Sequence, residues 1–289
     1  MRRCLSCDAA FVDQWTCRRC SFTPPVVDGY LSFAPQLVRS ETFHNPIEFA
    51  ALAKVEAGNF WFRGRNRLIV WAIRRYFPQL QKMLEIGCGT GYVLAGVREA
   101  FPEITLSGSE VSCVGLNFAE RRARGASLFQ IDARNIPFRD EFDVIGAFDV
   151  LEHVHDDEQV LREMWAAVRT GGGIIVTVPQ HTLLWSMVDE VAGHVRRYRA
   201  RDLVEKISRT GFKVVRVTSF VSLLLPPMMV SRLRQRKAGS RVAQEEFALG
   251  RFANSILERI LDMERGLIRL GVSFPVGGSL LVVAVKQEL

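Results

Sequence analysis

The chain has 289 residues, 48% of them hydrophobic, and a formal net charge of +7. That length allows one large core with small additions, and no apolar run reaches the roughly 18 to 20 residues that a membrane-spanning helix needs. The first residues, Met1 to Cys7, lack the apolar centre of a signal peptide, so the expected compartment is the cytoplasm. The positive surplus suits an acidic partner, whether nucleic acid, anionic lipid or a phosphorylated substrate, without choosing among them. Arginines gather at Arg63, Arg65 and Arg67, at Arg121, Arg122 and Arg124, from Arg196 to Arg201, and from Arg232 to Arg241. Each such cluster can equally be a solvated helix face.

Cys4-x-x-Cys7 and Cys17-x-x-Cys20 form two knuckles that can offer four thiolates to one zinc ion. A reducing compartment favours metal over disulfides, and a module this small would draw most of its folding free energy from the metal. Residues 1–35 are therefore expected to form a small zinc ribbon, with Ser21 to Pro35 as its last strand and a linker. Arg2, Arg3, Arg18 and Arg19 flank the knuckles, which leaves open whether the ribbon is structural or touches substrate.

Residues 36–80 read as a helical cap, with helices from His44 to Ala57 and from Arg63 to Phe77. Phe60, Trp61 and Phe62 stand between them, beside Arg63 and Arg65. Aromatic faces attract cations, so Trp61 and Arg65 are candidates for a lid over a cationic ligand; core packing is the alternative.

From Met83 the pattern becomes strand, glycine loop, helix: Met83 to Ile86, then Gly87-Cys88-Gly89-Thr90-Gly91, then Tyr92 to Ala100. Glycines there let backbone approach a ligand at a helix N-terminus. The next strand, Ile104 to Ser109, leads into Glu110 and Val111, where an acid can accept hydrogen bonds from ribose hydroxyls. A helix near Cys113 to Ala123 follows, then strands Ser127 to Ile131 and Phe142 to Phe148, a helix from Asp157 to Arg169 and a strand from Gly173 to Val178. Such alternation predicts an α/β fold with a mostly parallel sheet, its ligands at the carboxyl ends of the strands. Asp132, Ala133 and Asp149 would lie on that edge.

These residues resemble the class I S-adenosylmethionine-dependent methyltransferases, over about Phe60 to Glu205 and more loosely at the last strand. Glu85-x-Gly87-x-Gly89-x-Gly91 is similar to that family's first motif, Glu110 to its ribose-binding acid, and Asp132-Ala133 to its adenine-edge pair. The resemblance implies a Rossmann-like sheet with an antiparallel last strand and helices on both faces, occupying 81–289. It also implies S-adenosylmethionine as cofactor, S-adenosylhomocysteine as product, and Trp61, Arg65, Glu85, Gly87, Cys88, Gly89, Gly91, Glu110, Val111, Asp132, Ala133 and Asp149 as cofactor-site candidates.

For the chemistry itself, Asp149, Glu152 and His153 would share one face if their segment were helical, and could hold a second, divalent metal. The pattern resembles an acid-x-x-Glu-His metal motif of ubiquinone-pathway and small-RNA methyltransferases. His181 follows the fifth strand, and Gly193-His194-Val195-Arg196-Arg197-Tyr198 recurs in a bacterial methyltransferase group. His153, His181 and His194 are the candidate catalytic residues, as bases or ligands, because histidine titrates near neutral pH.

Arg201 to Ser208 reads as a helix, Phe212 to Phe220 as a strand, Phe247 to Leu270 as helical and Ser279 to Lys286 as the final strand. Residues 221–270 would be an insertion shaping the acceptor site. Its apolar run, Val221 to Val230, precedes the Arg232 to Arg241 cluster, a pairing that suits peripheral contact with the inner membrane face. The leading expectation is O-methylation of a lipophilic or lipid-linked small molecule. An rRNA or tRNA methyltransferase and a catalytically silent binding module are the competing readings. The absence of an Asn-Pro-Pro-Tyr type string after the fourth strand disfavours nucleic acid. Oligomeric state is not legible.

Overall fold

A computed structural model describes residues 1–11, 15–38, 46–238 and 250–287, the side chains of 232–238 excepted. Two short strands, β1 (Arg2–Arg3) and β2 (Ala10–Phe11), pair antiparallel in the cysteine module. A second hairpin follows, β3 (Val26–Val27) and β4 (Tyr30–Ser32). Helices α1 (Pro46–Glu56) and α2 (Phe60–Tyr76) lead into β5 (Lys82–Ile86), α3 (Tyr92–Ala100), β6 (Thr105–Glu110), α4 (Cys113–Arg122), β7 (Ser127–Gln130) and β8 (Phe142–Phe148). Then come α5 (Asp157–Ala167), β9 (Val168–Pro179), α6 (Met187–Val191), α7 (Ala200–Arg209), β10 (Phe212–Phe220), α8 (Leu225–Ala238), α9 (Arg251–Arg269) and β11 (Ser279–Lys286).

Among the described residues, nine strands form one sheet in the order β10-β11-β9-β8-β5-β6-β7-β4-β3. The strands from β9 to β7 run parallel, and β11 lies antiparallel between β9 and β10. Every position of β8 is buried, as expected of a parallel strand covered on both faces. One apolar cluster gathers residues of α2, α3, α4 and α9, a second residues of α5 and α7, and a third, small one lies in the cysteine module. The chain order reverses between β6, β5 and β8, so a ligand crevice opens at the carboxyl ends of those strands.

Several expected boundaries differ from those observed. Ser21 to Pro35 is not a ribbon strand plus linker: β4 pairs parallel with β7, so this hairpin extends the main sheet. Phe60, Trp61 and Phe62 are not a connector but the first turn of α2, because the Asn59 side chain caps the helix by accepting the Trp61 amide at 2.9 Å. The run after Val221 turns helical at Leu225, with Pro226 and Pro227 in the first turn, where a missing N–H costs nothing. The helix expected to reach Arg169 ends at Ala167, and β9 starts at once at Val168. His44 and the start of the helix expected from Phe247 lie outside the described residues, as do the basic side chains from Arg232 to Arg241.

The cysteine module is docked, not tethered. The Trp15 ring packs edge-on against Phe33, Phe129 and Phe138 at centroid distances of 4.9 to 5.9 Å. Arg3 donates to Asn135 Oδ1, the Ile136 carbonyl and Glu163 Oε2 at 2.9 to 3.2 Å. Both contacts reach the segment between β7 and β8. Part of the positive charge is likewise internal: Arg63 and Arg67 pair with Glu258 of α9, and Arg122 pairs with Glu56.

Candidate active site

The loop after β5 holds Gly87, Gly89 and Gly91 at φ of 64, 50 and 74°, a left-handed region that glycine enters without strain. Two of the three are also packed tightly. A Cβ on Gly87 would stand 2.6 Å from a Val150 methyl, and one on Gly91 2.6 Å from the Ala119 Cα. Gly89 differs, with nothing within 4 Å of its Cβ position, so its backbone borders open space at the strand ends. Thr90 is anchored from α1, its hydroxyl donating to the Glu56 carboxylate at 2.7 Å.

Glu110 ends β6 and fastens the loop. One carboxylate oxygen accepts the Gly89 amide at 3.0 Å; the other accepts the amides of Val111 and Ser112 at 2.8 and 3.2 Å. Burial pushes its pKa up, and these three amides oppose the rise. Glu85 sits beneath, 2% exposed, with one oxygen free of hydrogen bonds; burial holds its carboxyl well above the usual range. Cys88 is buried behind the loop, its thiol pKa raised by desolvation.

Arg65 enters from α2 and pairs with Asp149, which also accepts the Thr177 hydroxyl at 3.3 Å. The Arg65 guanidinium lies 4.5 Å from the Trp61 ring centroid, so the cation on that ring is the protein's own. Asp132 is half-buried and held by the Arg134 guanidinium through contacts of 2.7 to 3.1 Å, with half-buried Ala133 beside it.

Beyond β8 the chain does not form the helix that would place Asp149, Glu152 and His153 on one face. Asp149 stands at φ 57°, only Leu151–His153 make a 3₁₀ turn, and the Asp149 carboxylate is engaged by Arg65. The group brought together is instead Glu152, His153 and His194, with ligand atoms all within 4.8 Å of one another. Glu152 is fully buried and neither of its oxygens has a hydrogen bond. His194 Nε2 is 4.0 Å from Glu152 Oε1, and the two imidazoles meet edge to face at 4.8 Å between centroids. Burial, then the neighbouring His194, lowers the His153 pKa to about 4.

The string from Gly193 to Tyr198 explains how His194 arrives there. Arg196 donates to the His155 carbonyl and pairs with Asp157. Arg197 donates to Asp189 and to the Gln180 carbonyl, while the Tyr198 hydroxyl donates to Asp157 at 2.7 Å. The Val195 amide bonds the Glu152 carbonyl at 2.8 Å. This segment is a strap over the β8 loop. Asp189, which the sequence reading did not assign, binds His194 Nδ1 at 2.8 Å. Its signal was present: Asp189 closes a capping box with Ser186 at the start of α6.

His181 is not part of that group. It follows β9 at φ 61°, bonded through its amide to the Tyr198 carbonyl, and its Nε2 is buried without a partner. Burial and the nearby Arg197 and Arg199 lower its pKa.

The four N-terminal cysteines converge, with Sγ separations of 3.6 Å for Cys4 to Cys20 and 3.5 Å for Cys7 to Cys17. Four sulfurs about 2.3 Å from one tetrahedral ion would stand about 3.8 Å apart, so this donor set fits a zinc ribbon.

Comparison with known proteins gives the family and the fold. Residues 56–217 match the family described as a methyltransferase domain. The bifunctional biotin-biosynthesis protein BioHC of Teredinibacter turnerae is 27% identical over 65% of this chain, which covers 37% of that protein's length. A demethylmenaquinone methyltransferase of Thermotoga maritima is 29% identical over 33% of the chain and 42% of the relative. The chain thus spans well under half of either relative. The structure of Haemonchus contortus phosphoethanolamine N-methyltransferase 2, complexed with phosphomonomethylethanolamine and S-adenosylhomocysteine, superposes with a TM-score of 0.56. It is 19% identical and covers 84% of this chain and 58% of that one. With a glycine loop, an acid after the second core strand and the antiparallel β11 all in their places, the chain belongs to the class I S-adenosylmethionine-dependent methyltransferases.

Proposed function

We propose that this protein transfers a methyl group from S-adenosylmethionine to a hydroxyl of a lipophilic small molecule. The open backbone of Gly89, tied to Glu110 at the carboxyl ends of β5 and β6, carries the cofactor half of that reading. Glu85, the loop glycines, Glu110, Val111, Asp132 and Ala133 would hold the cofactor, with Trp61, Arg65 and Asp149 closing the α2 side. When bound, S-adenosylmethionine supplies an electrophilic methyl on a cationic sulfonium. The protein's share is to orient the acceptor, exclude water and deal with the proton of the attacking oxygen. The nitrogen and oxygen donors of Glu152, His153 and His194 stand on the same edge, since Val150 packs directly on Gly87.

The acceptor's apolar character is inferred from the rim. Leu183 after β9, Leu223 and Met229 after β10 and Val276 before β11 are all exposed at the sheet edge where the glycine loop lies. The menaquinone-pathway relative is in keeping with such an acceptor. Zinc in the four-cysteine module would be structural. No helix among the described residues is long and apolar enough to cross a membrane.

Pure protein given methyl-labelled cofactor with lipid, RNA and polar-metabolite fractions of its host tests this reading. Label in the organic fraction is expected. Label confined to RNA or to polar metabolites would overturn the lipophilic acceptor, and failure to bind the cofactor in a calorimetric titration would overturn methyl transfer altogether.

A further inference from the structure

Glu152 is fully buried, yet both its carboxylate oxygens lack hydrogen bonds. A fully buried carboxyl group with both oxygens unpartnered is unfavourable in either protonation state, and the nearby cations are committed elsewhere. Arg65 is bound to Asp149, and Arg197 to Asp189 and the Gln180 carbonyl. The imidazole of His194 does not resolve the deficit either, because 4.0 Å is too long for a hydrogen bond.

We infer that Glu152, His153 and His194 hold a divalent first-row transition-metal ion, with positions left open for the acceptor's hydroxyl oxygen. The ion's use in catalysis rests on the methyl-transfer reading; its binding does not. Three features of the cluster support it. The Asp189 carboxylate takes the Nδ1 hydrogen of His194 at 2.8 Å, so the Nε2 lone pair is the one presented toward Glu152. This is the carboxylate–histidine arrangement that orients metal-bound imidazoles. Asp189 is itself fixed by Arg197 Nε at 2.8 Å and the Ser186 amide at 2.9 Å, which keeps it an acceptor.

Donors about 2.1 Å from a common ion stand about 3.0 to 3.5 Å apart, so the 4.0 Å between His194 and Glu152, and the 4.8 Å within which all three donors lie, close with inward shifts of these side chains. The donor types then select the metal. Two imidazoles and one carboxylate suit zinc, cobalt, iron or manganese, whereas magnesium and calcium favour oxygen ligands. Three protein ligands leave at least one coordination position open, which is the mark of a catalytic site. An ion there would bind the acceptor's hydroxyl oxygen and lower its pKa, so that the proton leaves to solvent before the oxygen attacks.

The test uses full-length protein with its cysteine module filled with zinc, equilibrated with cobalt(II), with both metals counted per chain. One zinc and one cobalt are expected, the cobalt showing d–d absorption without thiolate charge transfer. Glu152→Gln and His194→Ala should each lower cobalt affinity at least 100-fold, and Asp189→Asn, which alters only a positioning residue, about 10- to 100-fold. Near-ultraviolet circular dichroism establishes that each variant is folded; should His194→Ala unfold, the isosteric Glu152→Gln decides. Cobalt seen only with thiolate absorption, or bound equally well by Glu152→Gln, would overturn the site. Cofactor titration on the same samples keeps the two readings apart, because cofactor binding without a second ion removes only the metal.

Discussion

The amide of Gly89 and the carboxylate of Glu110 lie 3.0 Å apart, so the loop after β5 is held by the residue that ends β6. Glu110 therefore shapes the loop, and on the proposed reading it would also meet the cofactor. Replacing it with alanine frees three backbone amides as well as removing the charge. Glu110→Ala is expected to weaken S-adenosylmethionine binding at least about tenfold, the loss of a charge-assisted hydrogen bond. A calorimetric titration with unchanged affinity would contradict the assignment.

The loop glycines should separate folding from binding. In Gly91→Ala the new Cβ meets the Ala119 backbone at 2.6 Å in a left-handed conformation, so strain and overpacking add to about 2–5 kcal/mol of lost stability. In Gly89→Ala only the left-handed strain applies, about 1–2 kcal/mol. Yet that Cβ points into open space where the cofactor is expected, and affinity should fall more than about tenfold. Urea unfolding and cofactor titration of both variants check the contrast; wild-type affinity in Gly89→Ala would place the cofactor elsewhere.

The sequence pattern carried the core because each device there is local. Apolar runs mark the buried strands, and the boundaries expected for the antiparallel β10 and β11, Phe212 to Phe220 and Ser279 to Lys286, are those observed. What escaped depended on distant contacts or on unusual backbone. The hairpin Val26 to Ser32 joins the sheet only by meeting Phe129 and Gln130 of β7. Asp149 left the expected ligand set because it adopts φ 57° and is engaged by a residue of α2. His194 joined it because a strap of side chains folds back from beyond α6. Asn59, a residue type favoured as a helix cap, stands directly before the aromatic run and marks the true start of α2.

Docking of the cysteine module should couple metal occupancy to the ligand edge. Trp15 and Arg3 clamp Phe129, Phe138, Asn135 and Ile136, which flank Asp132 and Ala133. Trp15→Ala removes a large aromatic from that contact and is expected to cost about 2–4 kcal/mol, somewhat below a full core truncation because the ring is half-buried. Mercurial release of zinc should weaken cofactor binding in the same direction as Trp15→Ala. If zinc-free protein, still folded by circular dichroism, binds cofactor as before, the module does not support this edge.

Acid stability should depend on Asp157, which anchors the strap. Burial raises its pKa, but Lys206 at 2.6 Å, the Tyr198 hydroxyl at 2.7 Å and Arg196 at 2.9 Å outweigh burial and set it below the ordinary value. A folded-state pKa below the unfolded one means that the ionised carboxylate stabilises the fold. That contribution is complete above the unfolded value of about 3.9 and is lost as pH falls through the folded value. Asp157→Asn, which leaves Lys206 and Arg196 without their carboxylate, should therefore lower the melting temperature at neutral pH and flatten its decline below about pH 4. The two proteins should converge in stability at the acid end. Parallel melting curves across that range, with a constant offset between them, would show that Asp157 contributes by packing alone and that the strap is not held by charge.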